Sequence, residues 1–384
     1  MSFPSHRQRH RRSSRRLVAR LDAEHYMLLM LIGFGGAVLG TRAFLALTGY
    51  PQVGGGTLHI SHALWGGLSL FLAALVPLLV VNRAALLGAA LLAGIGTGLF
   101  IDEVGKFITA DNDYFFPAAA PIAYAAFLIG VWLYVRARST RVEGTRAQLH
   151  AALELLGEAV DGRLSERDRA QLRRRLGAAA ASPDDDRLQP LATALLELAE
   201  PGVLPPYEHR SGRIARIAVA VRAWVARSLT RGRLRVGLVL ALGLLGFATL
   251  SDLITIVAVA LDLRDGTTEG VLTTANEFAR VDIQDRRGVL LLLVRALLDA
   301  GVGTALIVAA GLLLRGMARR AVELARAGLV TSLSVVNLLV FYLDQFAAAV
   351  SALGQLAVLL AVQRYQRLFD QPADAERTGG ADGD

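Results

Sequence analysis

The residues in this chain best suited to chemistry are two histidines. In the run His59-Ile60-Ser61-His62 the imidazoles stand three residues apart, so a helix puts them on one face, a spacing that suits a metal ion. The other histidines are at positions 6, 10, 25, 150 and 209 and fall on the opposite side of the topology derived below. Carboxylates such as Asp102 would therefore have to complete the ligand set, and a divalent metal is the one cofactor these residues point to. The alternative is an interfacial pair of histidines bonded to a neighbouring loop.

A second concentration of functional groups lies in residues 100–116, F-I-D-E-V-G-K-F-I-T-A-D-N-D-Y-F-F. Lys106 is the only lysine in the chain, arginine supplying every other basic side chain. A compact ammonium at that one place suggests a titratable or substrate-contacting group beside Asp102 and Glu103. A surface ion pair across one helical turn is the simpler reading. Asp111-Asn112-Asp113 resembles the start of a calcium loop, but Phe116 stands where such a loop needs glycine, so at most the triplet contacts a hard cation. Tyr114, Phe115 and Phe116 read as an interfacial aromatic anchor.

More charges are scattered through apolar sequence. Arg42 lies about 22 Å along the first apolar run, at the helical rise per residue. Asp252 is similarly deep in a later run, Arg295 and Asp299 are four residues apart and can pair, and Asp344 marks a turn. Ionisable groups in lipid cost about 2.5–3.5 kcal/mol each on insertion scales, so they need a partner, water or a task. All of these fall toward one side of the membrane. The set Arg42, Asp102, Glu103, Lys106, Asp111, Asp113, Asp252, Arg295, Asp299 and Asp344 therefore predicts an outward-facing polar cavity that binds an ion, or else a set of paired struts between helices. None of these residues is assigned a catalytic role.

The elements that carry these groups follow from composition. Of 384 residues, 54% are hydrophobic and only 19% charged, with 41 Lys and Arg against 33 Asp and Glu, and no cysteine. Mean hydropathy is +0.45. The apolar residues come in blocks long enough to cross a bilayer, which needs about 20 residues per helix. These features exclude a cytosolic enzyme, a disulfide scaffold, thiolate metal sites and a disordered chain. Candidate spans are 27–48, 59–81, 84–100, 115–135, 235–261 and 288–314. A final run, 327–362, is long enough for two spans and turns at Leu343-Asp344-Gln345. The predicted fold is an all-α, polytopic transmembrane bundle of about eight spans.

Arginine placement orients the spans, because cytoplasmic loops retain positive charge. Arginines crowd the leader and recur in alternate connections, at 83, then 136, 138 and 141, then 315, 319 and 320. The pattern predicts a cytoplasmic-membrane protein with both termini inside. Its segments read as a basic leader (1–26) contacting anionic lipid head groups, spans one to four (27–136), a helical cytoplasmic insertion (137–234), spans five to eight (235–365) and a disordered tail (366–384). No aromatic residues interleave the arginines, so no nucleic-acid partner is expected.

The insertion shows helical periodicity at Leu149, Leu153, Leu156 and Val160, a cap at Ser165 with Asp168 opening 166–176, a third helix over 188–198, and a basic amphipathic helix over 212–231. A cytoplasmic protein partner for this insertion is one expectation. Gly36 with Gly40, and Gly94 with Gly98, are spaced for close helix approach.

The motif H-x-x-H-x-L-W-G-G from His59 and the 100–116 segment resemble those of a family of multi-pass bacterial membrane proteins to which no reaction is assigned. The resemblance covers mainly the first four spans and implies an integral membrane protein. Ceramidase-like membrane hydrolases, with serine, aspartate and three histidines around zinc, are the nearest enzymatic comparison. This chain departs from them, having no H-x-x-x-H in its last span. The leading functional expectation is transport or binding of a cation or small solute. A metal-dependent enzyme acting on lipid or envelope precursors, and a non-catalytic scaffold, are the alternatives.

Overall fold

The computed structural model describes residues 18–49, 61–111, 113, 116–139, 144–162, 164–182, 187–200, 203, 230–262, 286–344 and 348–370. Every regular element among them is a helix: α1 (Ala23–Thr48), α2 (His62–Leu79), α3 (Arg83–Asp102), α4 (Val104–Ile108), α5 (Ala119–Ser139), α6 (Thr145–Val160), α7 (Glu166–Ala180), α8 (Gln189–Leu198), α9 (Arg231–Asp262), α10 (Arg286–Leu314), α11 (Ala318–Thr331), a π-turn (Ser332–Val336), α12 (Asn337–Asp344) and α13 (Ala348–Asp370). Among the described residues, eight stretches are long and apolar enough to cross a membrane: α1, α2, α3, α5, Arg231–Ser251 of α9, Val294–Leu314 of α10, Ala318–Tyr342 and Ala348–Gln366. The chain is an all-α, polytopic integral membrane protein.

Helix α9 shows what distinguishes a span from a soluble helix. Leu234, Leu238 and Leu242 recur every four residues and are 5%, 2% and 0% exposed, as a core face requires. The other face is equally apolar, with Val236, Leu240, Leu244 and Phe247 at 60–70% exposure. In water that second face would be polar; in a bilayer it meets acyl chains.

The chain divides into two compact units, residues 1–103 with 126–212 and residues 104–125 with 213–384. In the first, α3 packs along both α1 and α2. Glycine lets the backbones meet. A Cβ on Gly94 would lie 2.0 Å from the Met30 carbonyl oxygen, one on Gly98 2.7 Å from that of Phe34, and one on Gly96 2.7 Å from that of Gly66. Gly33 does the same service for α1 against the Leu91 carbonyl, at 2.6 Å. Gly36 and Gly40 do not share this role, because a Cβ on either has nothing within 4 Å. The contacts of α1 with α3 run through Met30, Gly33, Phe34 and Ala37 instead.

Helices α6, α7 and α8 form a small subdomain around Leu149, Ala152, Leu155, Leu172, Leu176, Ala179 and Ala192. Ser165 caps α7 by accepting the Asp168 N–H at 3.2 Å, and α7 runs on to Ala180, beyond the expected end. The chain just before α1 holds the subdomain: Leu21 enters its core, and Arg20 Nε and the Leu21 N–H donate to Glu154 at 3.2 and 3.1 Å. Asn82, between α2 and α3, donates to Asp161 at 2.7 Å. The amphipathic helix expected over 212–231 and most of the tail lie outside the described residues.

In the second unit, α9, α10, α11 and α13 share a core that includes Leu242, Leu306, Ala309, Leu313, Ala321, Leu329 and Val362. The end of α10 is closed twice. Gly316, at φ 80°, donates to the Leu313 carbonyl while Met317 donates to that of Leu312, completing a left-handed helix stop. Arg235 of α9 also donates Nε and Nη2 to the Leu313 carbonyl at 3.1 and 2.6 Å. The seventh span begins at Ala318, earlier than the expected start at 327, because Arg319, Arg320, Glu323 and Arg326 lie on an exposed face of α11 while Ala318, Ala321, Val322 and Ala325 are buried.

Candidate functional site: a buried arginine, histidine and carboxylate cluster

Three spans of the first unit end at one cluster. Arg42 lies in the last third of α1, His62 is the first residue of α2, Asp102 the last of α3, and Glu103 follows it. Ser61 caps α2, its hydroxyl accepting the Ala63 N–H at 3.1 Å. Helix ends fix Ser61, His62, Asp102 and Glu103, and the body of α1 carries Arg42 to them.

Arg42 donates Nε to Asp102 Oδ1 at 2.7 Å and Nη2 to the Asp102 carbonyl at 3.1 Å. His62 Nε2 lies 3.1 Å from the other Asp102 oxygen, and its Nδ1 lies 3.0 Å from Glu103 Oε1. The Ser61 hydroxyl donates to the remaining Glu103 oxygen. The two carboxylate side chains are 0% and 1% exposed; Arg42 and His62 retain 11% and 21%.

Proton counting follows from this geometry. A neutral imidazole has one N–H, yet carboxylate oxygens of Asp102 and Glu103 lie 3.1 and 3.0 Å from its two nitrogens, so charge complementarity on both sides calls for a second hydrogen. Either the ring carries both, as imidazolium, or one carboxyl group carries the second. In either arrangement the quartet formed with Arg42 sums to zero charge. Without that hydrogen the quartet carries one net negative charge, beside carboxylates that are 0% and 1% exposed. A buried group that is neutral and fully bonded is far less costly than one that is charged and incompletely bonded.

The other expected site residues are distributed as follows. Arg295 and Asp299 face each other at 3.5 Å across one turn of α10 in the second unit. Lys106 is half-buried in the short α4, and Asp111 and Asp113 are exposed in the loop after it, where the Asp113 N–H donates to Thr109 Oγ1 at 2.7 Å. His59 lies outside the described residues. Asp252 falls within α9 and Asp344 closes α12, but their side chains are also outside the described set. Among the described residues, no three His, Asp or Glu side chains converge as a metal-binding group. The divalent metal thus stands as an expectation on His59 and His62.

Sequence reading missed a second polar cluster, in the second unit. Gln355 Oε1 accepts from Ser332 Oγ at 2.9 Å and from Asn337 Nδ2 at 3.1 Å, with all three residues 7% exposed or less. Ser332 opens the π-turn, which closes when the Asn337 N–H reaches back five residues to the Ser332 carbonyl. Within that turn, the Leu333 carbonyl accepts the Tyr124 hydroxyl at 2.5 Å, and the Tyr124 ring stacks on Phe341 at 4.4 Å. The available signal was weak: neutral polar residues at 332, 337 and 355 inside apolar runs. Compared with family models, with curated proteins and with solved structures, the chain finds no match.

Proposed function

We propose that this integral membrane protein transports or binds a cation, and that the cation handled at the Arg42–His62–Asp102–Glu103 cluster is the proton. One observation carries this reading: both nitrogens of a single imidazole lie within 3.1 Å of buried carboxylates, so with Arg42 the cluster is neutral when it holds one proton beyond the imidazole's own N–H. A metal cation would have to displace His62 from oxygens it already occupies, whereas a proton needs only to move along an existing hydrogen bond. His62 is the most exposed of the four and gives the proton its route in and out. Arg42 fixes the charge balance and orients Asp102 through a side-chain and a main-chain contact. The orientation expected from the arginines puts this end of the spans at the outer face.

The test is proton flux in proteoliposomes carrying a pH-sensitive dye, under an imposed pH gradient or membrane potential. Wild-type protein is expected to move protons, alone or with a co-transported solute. His62→Gln and Glu103→Gln, which keep shape but remove the exchangeable proton or its acceptor, are expected to lose the flux while remaining folded. Unchanged flux in both variants overturns the proposal.

A further inference from the structure

The subdomain of α6–α8 carries a cleft of about 310 Å³ lined by Gln148, Gln171, Arg174, Arg175 and Ala178. Four of these residues recur at i, i+3, i+4 and i+7 on α7, so they form a single stripe facing Gln148 of α6. Leu172 and Leu176, on the buried side of the same helix, are 0% exposed and hold the stripe in register.

The cleft holds guanidinium groups oriented without being neutralised. Arg175 Nη1 donates to the Gln148 carbonyl oxygen at 2.9 Å. The Gln171 amide lies so that its carbonyl, turned toward Arg175, accepts from Nη2 at 3.0 Å and from Nε at 3.3 Å. Neutral acceptors therefore fix Arg175, and no carboxylate lines the cleft. Burial lowers the Arg175 pKa, the charge of Asp22 works against this, and Arg174 adds to the lowering. A second positive charge beside a partly desolvated one is unfavourable until an anion arrives. Among the described residues, Arg174 forms no ion pair, and it is exposed at the cleft.

The position of the cleft points to the source of that anion. Glu154 of α6 accepts from Arg20 and from the Leu21 N–H just before α1, and Asp22 beside them pairs with Arg83 at the start of α3. The cleft therefore stands where two spans leave the bilayer, at the level of phospholipid head groups. Planar guanidinium groups match phosphate oxygens in geometry as well as charge. We infer that the α6–α7 cleft binds a phosphate group, supplied by the head group of an anionic phospholipid at the membrane surface. This inference does not depend on the proton cluster.

The experiment uses the full-length protein in nanodiscs of phosphatidylcholine, with or without phosphatidylglycerol, and counts retained lipid by native mass spectrometry after release. Wild type is expected to retain phosphatidylglycerol in preference to phosphatidylcholine, and Arg174→Gln about tenfold less of it, since one charge-assisted phosphate contact is worth about that factor. Arg173→Gln removes the same charge from the neighbouring exposed position, outside the cleft, and is expected to behave as wild type. In a second arm, inorganic phosphate is titrated into protein in phosphatidylcholine alone. Phosphate binding lost in Arg174→Gln, without any retained phosphatidylglycerol, keeps the phosphate site but overturns the lipid as its source. Equal loss in both variants, or neither lipid preference nor phosphate binding, overturns the site.

Discussion

At Arg42 the stakes of a buried charge can be measured directly. Replacing it with Met leaves Asp102, fully buried, without its guanidinium, and breaking one partner of a buried pair costs about 3–5 kcal/mol. Arg42→Met is expected to lower the detergent unfolding midpoint sharply, and Arg42→Met with Asp102→Asn to recover part of the loss. If the single variant melts like wild type, the pair is not holding the spans. The sequence made these charges conspicuous, because ionisable residues in apolar runs stand out by type. Their partners were not legible, since Arg42 and Asp102 are separated by 60 residues and only the packing of α1 on α3 brings them together. Ser61 was passed over as a spacer between two histidines, though a serine before an apolar run is also a cap signal, and the cap is what aims it at Glu103.

For the helices, small residues decide which faces meet. Gly94→Ala puts a methyl against the Met30 backbone and is expected to destabilise the first unit, while Gly36→Ala, with open space around it, is expected to leave the melting temperature unchanged. The reverse order would mean that α1 packs through another face. Spacing alone could not separate these glycines, because the Gly36–Gly40 and Gly94–Gly98 pairs have the same period; only the register of α1 against α3 tells them apart. In the second unit, Gln355→Leu removes the acceptor shared by Ser332 and Asn337 and is expected to cost about 0.6–2 kcal/mol, the range for hydrogen bonds between helices in membranes. Hydrogen exchange at Asn337 should quicken, because the π-turn loses its outside support. Turn chemistry hid that feature: nothing in Ser-Leu-Ser-Val-Val announces a change of helical pitch. Loop signals were easier to read, and Ser165 with Asp168 marked the start of α7 correctly.

At the level of the whole molecule, helix content and the number of spans were legible from hydropathy, since a bilayer demands long apolar runs regardless of tertiary detail. The division into compact units was not, because it cuts within α5 rather than in a polar linker. Orientation is open to a clean test, as the chain has no cysteine of its own. With Thr48→Cys and Ser139→Cys introduced singly, a membrane-impermeant maleimide added to intact cells is expected to label the first and to reach the second only after permeabilisation. The opposite pattern would invert the topology. The glycine face of α3 has a mechanical consequence as well. Main chain seated on main chain at Gly94, Gly96 and Gly98 leaves little slack at the seam, so α1, α2 and α3 are expected to tilt or translate as one body, and any cycle that opens and shuts a passage here has its hinge outside that trio.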